Sequence, residues 1–234
     1  KRGTLVGVVG HVGSGKSSLL QTILRELSID SGTINVNGSL SFAPQEAWVF
    51  SGSIRQNILF GSDMHQNRYE RVVNACDLKK DFETFAHGDQ TLIGERGSSL
   101  SGGQKARLSL ARALYRESDI YLLDDPLSAV DAHVGKHLFE ECLSSQGFLG
   151  KQSATRILVT HQVHFLNNAD WLIVMKNGRI DRQGRPNELM NDVIKIVEET
   201  EVQEAAIRRQ SISRSTSRSS TVSEESENSE KEDE

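Results

Sequence analysis

A glycine-rich stretch near the start of the chain has the residue types and spacing to hold phosphate groups. Gly10–Ser17 reads Gly-His-Val-Gly-Ser-Gly-Lys-Ser and matches the phosphate-loop pattern G-x-x-x-x-G-K-S/T in full. Glycines in such a loop let backbone N–H groups turn inward around phosphate oxygens, the lysine reaches β- and γ-phosphates, and the hydroxyl binds Mg²⁺. A Gly/Ser-rich turn that only caps a helix is the alternative. The candidate ligand-binding residues are Gly10, His11, Val12, Gly13, Ser14, Gly15, Lys16, Ser17 and Ser18.

Further polar residues follow three apolar runs that are predicted to be strands. Gln45 follows the first run, Asp124 and Asp125 end the second, and His161 ends the third. In an open parallel sheet the carboxyl ends of the strands form the ligand-binding edge. We expect Asp124 to hold Mg²⁺ through water, Asp125 to act as a base or water positioner, and Gln45 to hold Mg²⁺ or an attacking water. His161 ends its strand at the edge where the γ-phosphate would lie, so we expect it to take part in catalysis. The residues alone leave a plain turn glutamine, solvated strand-end acids and a structural histidine as alternatives.

A second anion-binding feature lies in the middle of the chain. The run Leu-Ser-Gly-Gly-Gln opens a predicted helix that continues to about Arg116. Its candidate binding residues are Ser101, Gly102, Gly103 and Gln104. Because one nucleotide does not need two such loops from one chain, we expect this one to serve a nucleotide held by a partner. A simple capped helix start is the alternative.

The elements that must position these residues follow from apolar periodicity and turn residues. Predicted strands are Leu5–Val9, Thr33–Gly38, Ser39–Ala43, Ile120–Asp124, Arg156–Thr160 and a hairpin, Asp170–Lys176 with Arg179–Gln183, that turns at Asn177 and Gly178. Predicted helices are Lys16–Leu27, ending near Gly32, and Arg55–Phe60, Arg68–Leu78 and Leu100–Arg116, which suggest a helical subdomain inserted at about 55–116. A further helix starts at Pro186, and residues 192–210 are predicted to extend it.

Composition and charge narrow the class of protein. The chain has 234 residues and a net charge of −5, which gives no case for nucleic acid as the main partner. Its two cysteines, Cys76 and Cys142, suit packing in a reducing compartment. We find no signal peptide and no apolar run of membrane-spanning length. The chain opens on a core strand without an initiating methionine, so we expect it to be a fragment of a longer protein.

The last 24 residues differ in character from the rest. Residues 211–234 hold three basic and seven acidic residues and are rich in serine, so we expect a disordered linker. Arg208 and Arg209 precede Ser211 in a pattern that resembles a basophilic kinase site. An unmodified, solvated linker is an equal alternative.

With these parts in order, residues 1–191 resemble an ATP-binding cassette, a phosphate-loop NTPase with a RecA-like, mostly parallel α/β sheet. The resemblance rests on the phosphate loop, Gln45, the signature Leu100–Gln104, the strand to Asp124, the run Ser128–Asp131 and His161. The stretch Gln45–Gly61 is similar to the first cassette of the multidrug-resistance-associated (C) subfamily of transporters. The acidic tail then stands where that subfamily links its first cassette to its second membrane domain.

The resemblance implies a mechanism and partners. Two cassettes of one transporter close head to tail around two ATP molecules with Mg²⁺, and Ser101, Gly102 and Gly103 contact the γ-phosphate held by the other cassette. Gln45 couples nucleotide state to the membrane domains, which contact the Gln45–Gly61 region, and Asp131 communicates across the dimer. The expected location is the cytoplasmic face of a membrane, with the plasma membrane as the expected one, within an integral membrane protein.

The sequence departs from the family pattern at two places. Asp125 stands where most cassettes carry a catalytic glutamate, and a misplacement of ~1 Å can cost on the order of 10²-fold in rate. This is similar to first cassettes of the subfamily, which bind ATP well and hydrolyse it poorly. The strands that precede the phosphate loop in the family, with the aromatic residue that stacks on adenine, are not in this sequence, so we expect truncated N-terminal β-strands.

Two functions follow from these observations. The first is an ATP-binding and ATP-hydrolysing domain of an exporter, which couples cassette dimerisation to transport across a membrane. The second is a regulatory nucleotide switch of a channel or channel regulator with little hydrolysis, which Asp125 and the tail favour.

Overall fold

A six-stranded sheet forms the centre of the molecule. The computed structural model describes residues 1–94, 100–200 and 202. The strands are β1 (Leu5–Gly10), β2 (Leu40–Ala43), β3 (Gly52–Ser53), β4 (Leu92–Ile93), β5 (Ile120–Asp124), β6 (Thr155–Val159), β7 (Trp171–Lys176) and β8 (Arg179–Gly184). The main sheet has the order β2-β5-β6-β1-β7-β8, and β3 pairs with β4 separately. Neighbours in the main sheet are parallel except β7 and β8. The predicted mostly parallel α/β sheet is confirmed.

Helices of varied length connect the strands. They are α1 (Lys16–Ile23), α2 (Ile54–Leu59), α3 (Gln66–Ala75), α4 (Lys79–Thr84), α5 (Gly102–Tyr115), α6 (Ala132–Leu138), α7 (Phe148–Lys151), α8 (Val163–Leu166) and α9 over residues 186–200. A 3₁₀ turn covers Gly88–Gln90, and a π-helical turn, Phe139–Leu143, continues α6.

The central strands are buried on both faces because helices cover both sides of the sheet. On one face Val8 and Leu122 pack with Leu20 of α1. On the other face their chain neighbours Val9 and Leu123 join a larger cluster that continues into the helices. This two-sided burial explains why these strands read as continuous apolar runs in the sequence.

The segment between β2 and β5 is mainly helical and contains α2 to α5. The inner side of α5 is tightly packed, because Leu108, Leu110, Ala111 and Leu114 are at most 1% exposed. The buried cluster of this segment is continuous with that of the main sheet. Cys76 and Cys142 lie inside the cluster without a disulfide bond, with their sulfur atoms 3.8 Å apart.

Two predicted elements differ in the structure. Helix α1 ends at Ile23 rather than near Gly32, because Arg25 adopts a left-handed backbone (φ 63°) and its N–H donates to Thr22, while that of Glu26 donates to Gln21. These two hydrogen bonds form a Schellman motif, which commonly uses glycine or asparagine rather than arginine at the left-handed position. The predicted strand Thr33–Gly38 is not formed. Within the described residues no strand pairs with it, so the backbone groups of this largely exposed segment have no strand ladder to join.

The end of the described chain agrees with the sequence prediction. Asn177 (φ 49°) and Gly178 (φ 73°) turn the β7–β8 hairpin with the positive angles that a two-residue turn requires. Helix α9 is continuous from residue 186 to 200, and Val193 and Val197 are buried. The predicted continuation of this helix to 210, the linker 211–234 and the kinase site at Ser211 lie outside the described residues.

Candidate nucleotide-binding site

The carboxyl ends of four parallel strands meet at one open cavity of about 290 Å³. The loop after β1 contributes Val12, Gly13, Gly15, Lys16, Ser17 and Ser18, and the other strand ends contribute Gln45, Asp124, Asp125, Val159 and His161. The structure therefore brings together the residues that the sequence places at separate strand ends. Gly10, His11 and Ser14 belong to the same loop but do not line this cavity.

The glycines of the phosphate loop are required by its geometry. Gly15, directly before α1, has φ 97°, which an L-side chain rarely adopts, and a Cβ there would lie 3.3 Å from the Cα of Gly178. A Cβ at Gly10 would lie 2.3 Å from the carbonyl oxygen of Met175. Only glycine fits these positions, so the loop can stay folded tightly against the β7–β8 turn.

Lys16 is buried and its ammonium group lies within the loop. Its Nζ donates to the carbonyl oxygens of Gly10 (2.7 Å) and His11 (3.0 Å). The side chain thereby places a positive charge beside the N-terminus of α1, where unpaired N–H groups also attract anions. Loop and helix together form a site for negatively charged oxygens.

His11 faces away from the cavity and contacts α9. Its Nε2 lies 3.4 Å from Oε2 of Glu199, and its Nδ1 lies 3.4 Å from the hydroxyl of Thr200. The imidazole ring thus connects the phosphate loop to the last described turn of α9. The sequence motif gave no signal for this contact, because position x of the loop pattern is unrestricted.

Asp125 follows β5 in a strained but well-held conformation. Its φ is 44°, and aspartate tolerates this left-handed region better than most residues. Its N–H donates to Val159, and its carbonyl oxygen accepts from the N–H (3.2 Å) and hydroxyl (2.9 Å) of Ser128. This turn directs the chain back at the sheet edge while Asp124 and Asp125 both remain buried.

The oxygen donors around the cavity fit Mg²⁺. The hydroxyl of Ser17, the amide of Gln45 and the carboxylate of Asp124 are all hard oxygen ligands, which this ion prefers. In the part of the chain that the structure describes, no group of three or more His, Cys, Asp or Glu side chains could hold a metal ion by itself. Mg²⁺ commonly uses one or two carboxylates and takes its remaining ligands from phosphates and water, so this sparse set suits a nucleotide-bound ion.

The signature lies outside this cavity, at the start of α5. Ser101 is the N-cap, its hydroxyl accepts from the N–H of Gln104, and the Gln104 side chain accepts from the N–H of Ser101. A Cβ at Gly102 would meet no atom within 4 Å, so the helix start is open on that side. The signature therefore does not line the cavity beside its own phosphate loop.

Asp131 directly follows two residues that lie close to the signature. A Cβ at Gly103 would come within 3.7 Å of Ala129 and 3.8 Å of Val130. Asp131 is the N-cap of α6 and accepts from the N–H groups of His133 (3.1 Å) and Val134 (3.0 Å). These hydrogen bonds, first that from Val134, hold the pKa of the Asp131 carboxyl below its usual value.

An exposed aromatic patch follows Gln45. The patch consists of Trp48, Phe50 and Phe60, with ring centroids 5.4–6.4 Å apart, and Trp48 and Phe60 are 43% and 53% exposed. The Arg112 guanidinium of α5 lies 3.9 Å from the Trp48 ring centre, and burial lowers the pKa of Arg112 to about 10, so it stays charged at neutral pH. Two of the three rings therefore lie at the surface.

Known proteins are similar to this chain in sequence. The profile of the family described as ABC transporter matches residues 1–128. A probable multidrug resistance-associated protein of Drosophila melanogaster, lethal(2)03659, is 55% identical over 184 residues, which cover 79% of this chain and 13% of that protein. ABC transporter C family member 9 of Arabidopsis thaliana is 54% identical over 194 residues, 83% of this chain and 13% of the relative. Mouse ATP-binding cassette sub-family C member 4 is 50% identical over 188 residues, 80% and 14% respectively.

The parallel sheet, the phosphate loop and the polar strand ends define a phosphate-loop NTPase domain. The chain belongs to the ABC transporter family and is a nucleotide-binding domain of the multidrug-resistance-associated type. Membership implies that the domain binds ATP and has, in general terms, ATPase activity. The chain spans only about 13–14% of the length of these relatives.

Proposed function

We propose that this chain is the first nucleotide-binding domain of a membrane exporter and that ATP-driven closure against a second domain is coupled to transport. The observation that carries the proposal is the convergence of Lys16, Ser17, Gln45 and Asp124 on one cavity at the sheet edge. Lys16 and the N–H groups of the loop bind the phosphates. Ser17, Gln45 and Asp124 hold Mg²⁺, which neutralises phosphate charge when it is bound.

Hydrolysis at this site is slow in our proposal. Asp125 and His161 border the cavity where an attacking water could be oriented, and Gln45 lies on the same rim. Asp125 has one methylene less than the glutamate found in most cassettes, and its backbone is fixed by three hydrogen bonds from Ser128 and to Val159. Because this turn cannot advance to compensate, the carboxylate stays short of the position that a glutamate would reach.

The second nucleotide-binding domain of the same transporter is the proposed partner of the signature. Ser101, Gly102 and Gly103 stand at an open helix start away from their own phosphate loop, and Asp131 lies next to them. In a head-to-tail pair this face meets the nucleotide of the other cassette. The exposed N–H groups and the dipole of α5 suit a γ-phosphate.

The region Gln45–Gly61 is the proposed contact with the membrane domains. Its patch of exposed aromatic rings directly follows Gln45. A displacement of the patch by the membrane domains would therefore move a residue that borders the nucleotide. No helix within the described residues is long and apolar enough to cross a membrane. Similarity to ABC transporters supports our proposed location, the cytoplasmic face of a membrane next to spans contributed by other parts of the protein, with the plasma membrane as our first choice.

The domain plan predicted from the sequence remains part of the proposal. Residues 1–191 form the cassette, with a helical subdomain at about 55–116 that coincides with the helices α2 to α5. In this plan residues 192–210 form a helical extension of the cassette, of which 192–200 lie in α9, and 211–234 form a linker in which Ser211 is a candidate for a basophilic kinase. Phosphate at Ser211 would add negative charge to an already acidic segment.

A regulatory nucleotide switch is the second candidate function, and Asp125 favours it. If this site retains ATP with little turnover, the nucleotide serves to hold the pair of cassettes closed rather than to power each cycle. Single-turnover hydrolysis of radiolabelled ATP by the full-length protein, with photo-crosslinking to identify the cassette that holds each nucleotide, tests the slow turnover that both functions share. Intact ATP retained here through many turnovers of the partner marks this cassette as the ATP-retaining half of a pump or a switch. Hydrolysis here at the partner's rate contradicts the slow turnover and with it the switch.

The site itself is tested by Lys16→Ala in the full-length protein. We expect photolabelling of this cassette by azido-ATP to be lost, because the phosphates lose their only cation from the loop. Lys151→Ala is the matched control, since that lysine lies exposed in α7 away from the cavity. Unchanged ATP affinity in Lys16→Ala contradicts the assignment.

A further inference from the structure

Asp81, in the short helix α4, is held between two residues of α5. Its Oδ1 accepts a hydrogen bond from Nε2 of Gln104 at 3.0 Å, and its Oδ2 accepts one from Nη2 of Arg107 at 2.6 Å. The side chains of Asp81 and Arg107 are only 13% and 14% exposed. Hydrogen bonds to ionised groups in such a setting are among the stronger ones in proteins.

The Gln104 side chain connects this carboxylate to the signature. Its amide nitrogen reaches Asp81, while its amide oxygen accepts from the N–H of Ser101 at 2.9 Å. The Ser101 hydroxyl in turn accepts from the N–H of Gln104 at 3.2 Å, which completes a capping box. Both ends of the Gln104 side chain are therefore engaged within the chain. This geometry assigns Gln104 a supporting role in place of the direct nucleotide contact expected from the sequence.

We propose that Asp81 is a positioning residue for the signature and acts through Gln104 on the nucleotide bound by the partner cassette. The inference rests on the proposed function, in which Gly102 and Gly103 face that nucleotide. Asp81 fixes the rotation of Gln104, and the capping box then fixes the backbone of Ser101 and the direction of the N–H groups that follow. A misplacement by ~1 Å can cost on the order of 10²-fold in rate. Loss of the contact between Asp81 and Gln104 therefore reduces catalysis at the partner site, while the phosphate loop of this cassette is unaffected.

Asp89 provides a matched control within the same helical segment. It too is a nearly buried aspartate, 14% exposed, and it accepts hydrogen bonds from Nε (2.8 Å) and Nη2 (2.9 Å) of Arg55 and from the Tyr69 hydroxyl (2.7 Å). None of these partners belongs to the signature. Asp81→Asn and Asp89→Asn therefore both remove a largely buried carboxylate that is paired with an arginine, but only Asp81 contacts a residue of the capping box.

The experiment uses the full-length protein with azido-ATP as the probe. It measures photolabelling of this cassette and vanadate trapping of nucleotide at the other cassette, each normalised to folded protein. For Asp81→Asn we expect labelling of this cassette within about twofold of wild type and trapping at the partner reduced at least about tenfold. For Asp89→Asn we expect both to stay near wild type. Equal trapping in wild type and Asp81→Asn, or equal losses in the two aspartate variants, overturns the proposal.

Two further variants keep the test decisive. Gln104→Ala changes a partly exposed residue, so the fold tolerates it, and it should reproduce the loss of partner trapping. The double variant Asp81→Asn/Gln104→Ala should lose no more than Gln104→Ala alone, because both changes act on one connection. Losses that multiply overturn the route through Gln104. Lys16→Ala tests the proposed function separately from the role of Asp81. If Lys16→Ala leaves labelling of this cassette intact, the proposed function fails, whatever the result for Asp81→Asn.

Discussion

Arg112→Lys tests whether the aromatic patch is held in place from α5. The Arg112 guanidinium donates from Nε to the Asn57 carbonyl (2.8 Å), from Nη1 to the Trp48 carbonyl (3.0 Å) and from Nη2 to the Asn57 side-chain oxygen (2.9 Å). Asn57 is fully buried and its amide donates to the carbonyls of Phe50 and Ser53. One planar side chain therefore organises the backbone of the whole patch.

The expected loss of stability follows from these three hydrogen bonds. A lysine keeps the positive charge, but its single ammonium group cannot reach all three oxygen acceptors that the planar guanidinium of arginine reaches with its three nitrogens. If two bonds to a charged donor are lost at about 1.5 kcal/mol each, the free energy of unfolding falls by about 3 kcal/mol. For a domain of this size 1 kcal/mol corresponds to roughly 2–4 °C, so the melting temperature should fall by about 6–12 °C.

Tryptophan fluorescence reports this change at the patch itself. The chain has only two tryptophans, so Trp171→Phe leaves Trp48, whose ring stacks on Arg112, as the sole reporter. Arg71→Lys is the matched control, because the exposed Arg71 only stacks on Phe148 at 5.2 Å, and we expect a change under about 0.5 kcal/mol. If Arg112→Lys in the Trp171→Phe background melts within about 1 °C of Trp171→Phe alone, the Arg112 guanidinium does not hold the patch and the reasoning is wrong.

Three other outcomes follow from the described contacts. Asp125→Glu should raise ATP turnover by this cassette in the full-length protein, and no gain means that a group other than the short carboxylate limits the step. Arg156→Met should lower the free energy of unfolding in urea by about 3 kcal/mol, since the buried guanidinium donates to three backbone carbonyls; a change below about 1 kcal/mol contradicts this. Hydrogen bonds from Ser39 and the charge of Arg2 hold the pKa of Asp119 below 3.8, so its stabilising contribution is present above that pH and is lost as the pH falls further. Asp119→Asn should therefore flatten the acid dependence of the melting temperature, and an unchanged profile refutes the attribution.

The nucleotide site was predictable from the sequence because each of its parts is local. The phosphate loop is eight consecutive residues, and Gln45, Asp124 and His161 each end an apolar run. Parallel strands carry their carboxyl ends to one edge, so chain order alone was enough to predict that these groups converge. The β7–β8 hairpin was equally readable, because Asn177 and Gly178 tolerate the backbone angles that a two-residue turn requires.

Elements whose formation depends on distant partners were predicted less well. Thr33–Gly38 has the alternation of a strand, yet a strand forms only where another strand supplies its hydrogen bonds. The apolar spacing through Leu27 extended α1 too far, because a left-handed arginine ends this helix where glycine or asparagine is the usual signal.

The sequence by itself determined the fold class, the ligand class and the residues at the strand ends, since short motifs and periodic patterns encode local backbone geometry. Only the tertiary structure decided how these parts are held. Asp81 lies 23 residues from Gln104, Arg112 lies 55 from Asn57, and His11 lies 189 from Thr200. Contacts at such separations depend on how the helices and the sheet pack together. The residue type of an aspartate, arginine or histidine does not identify its distant contact partner, so the sequence alone could not predict these contacts.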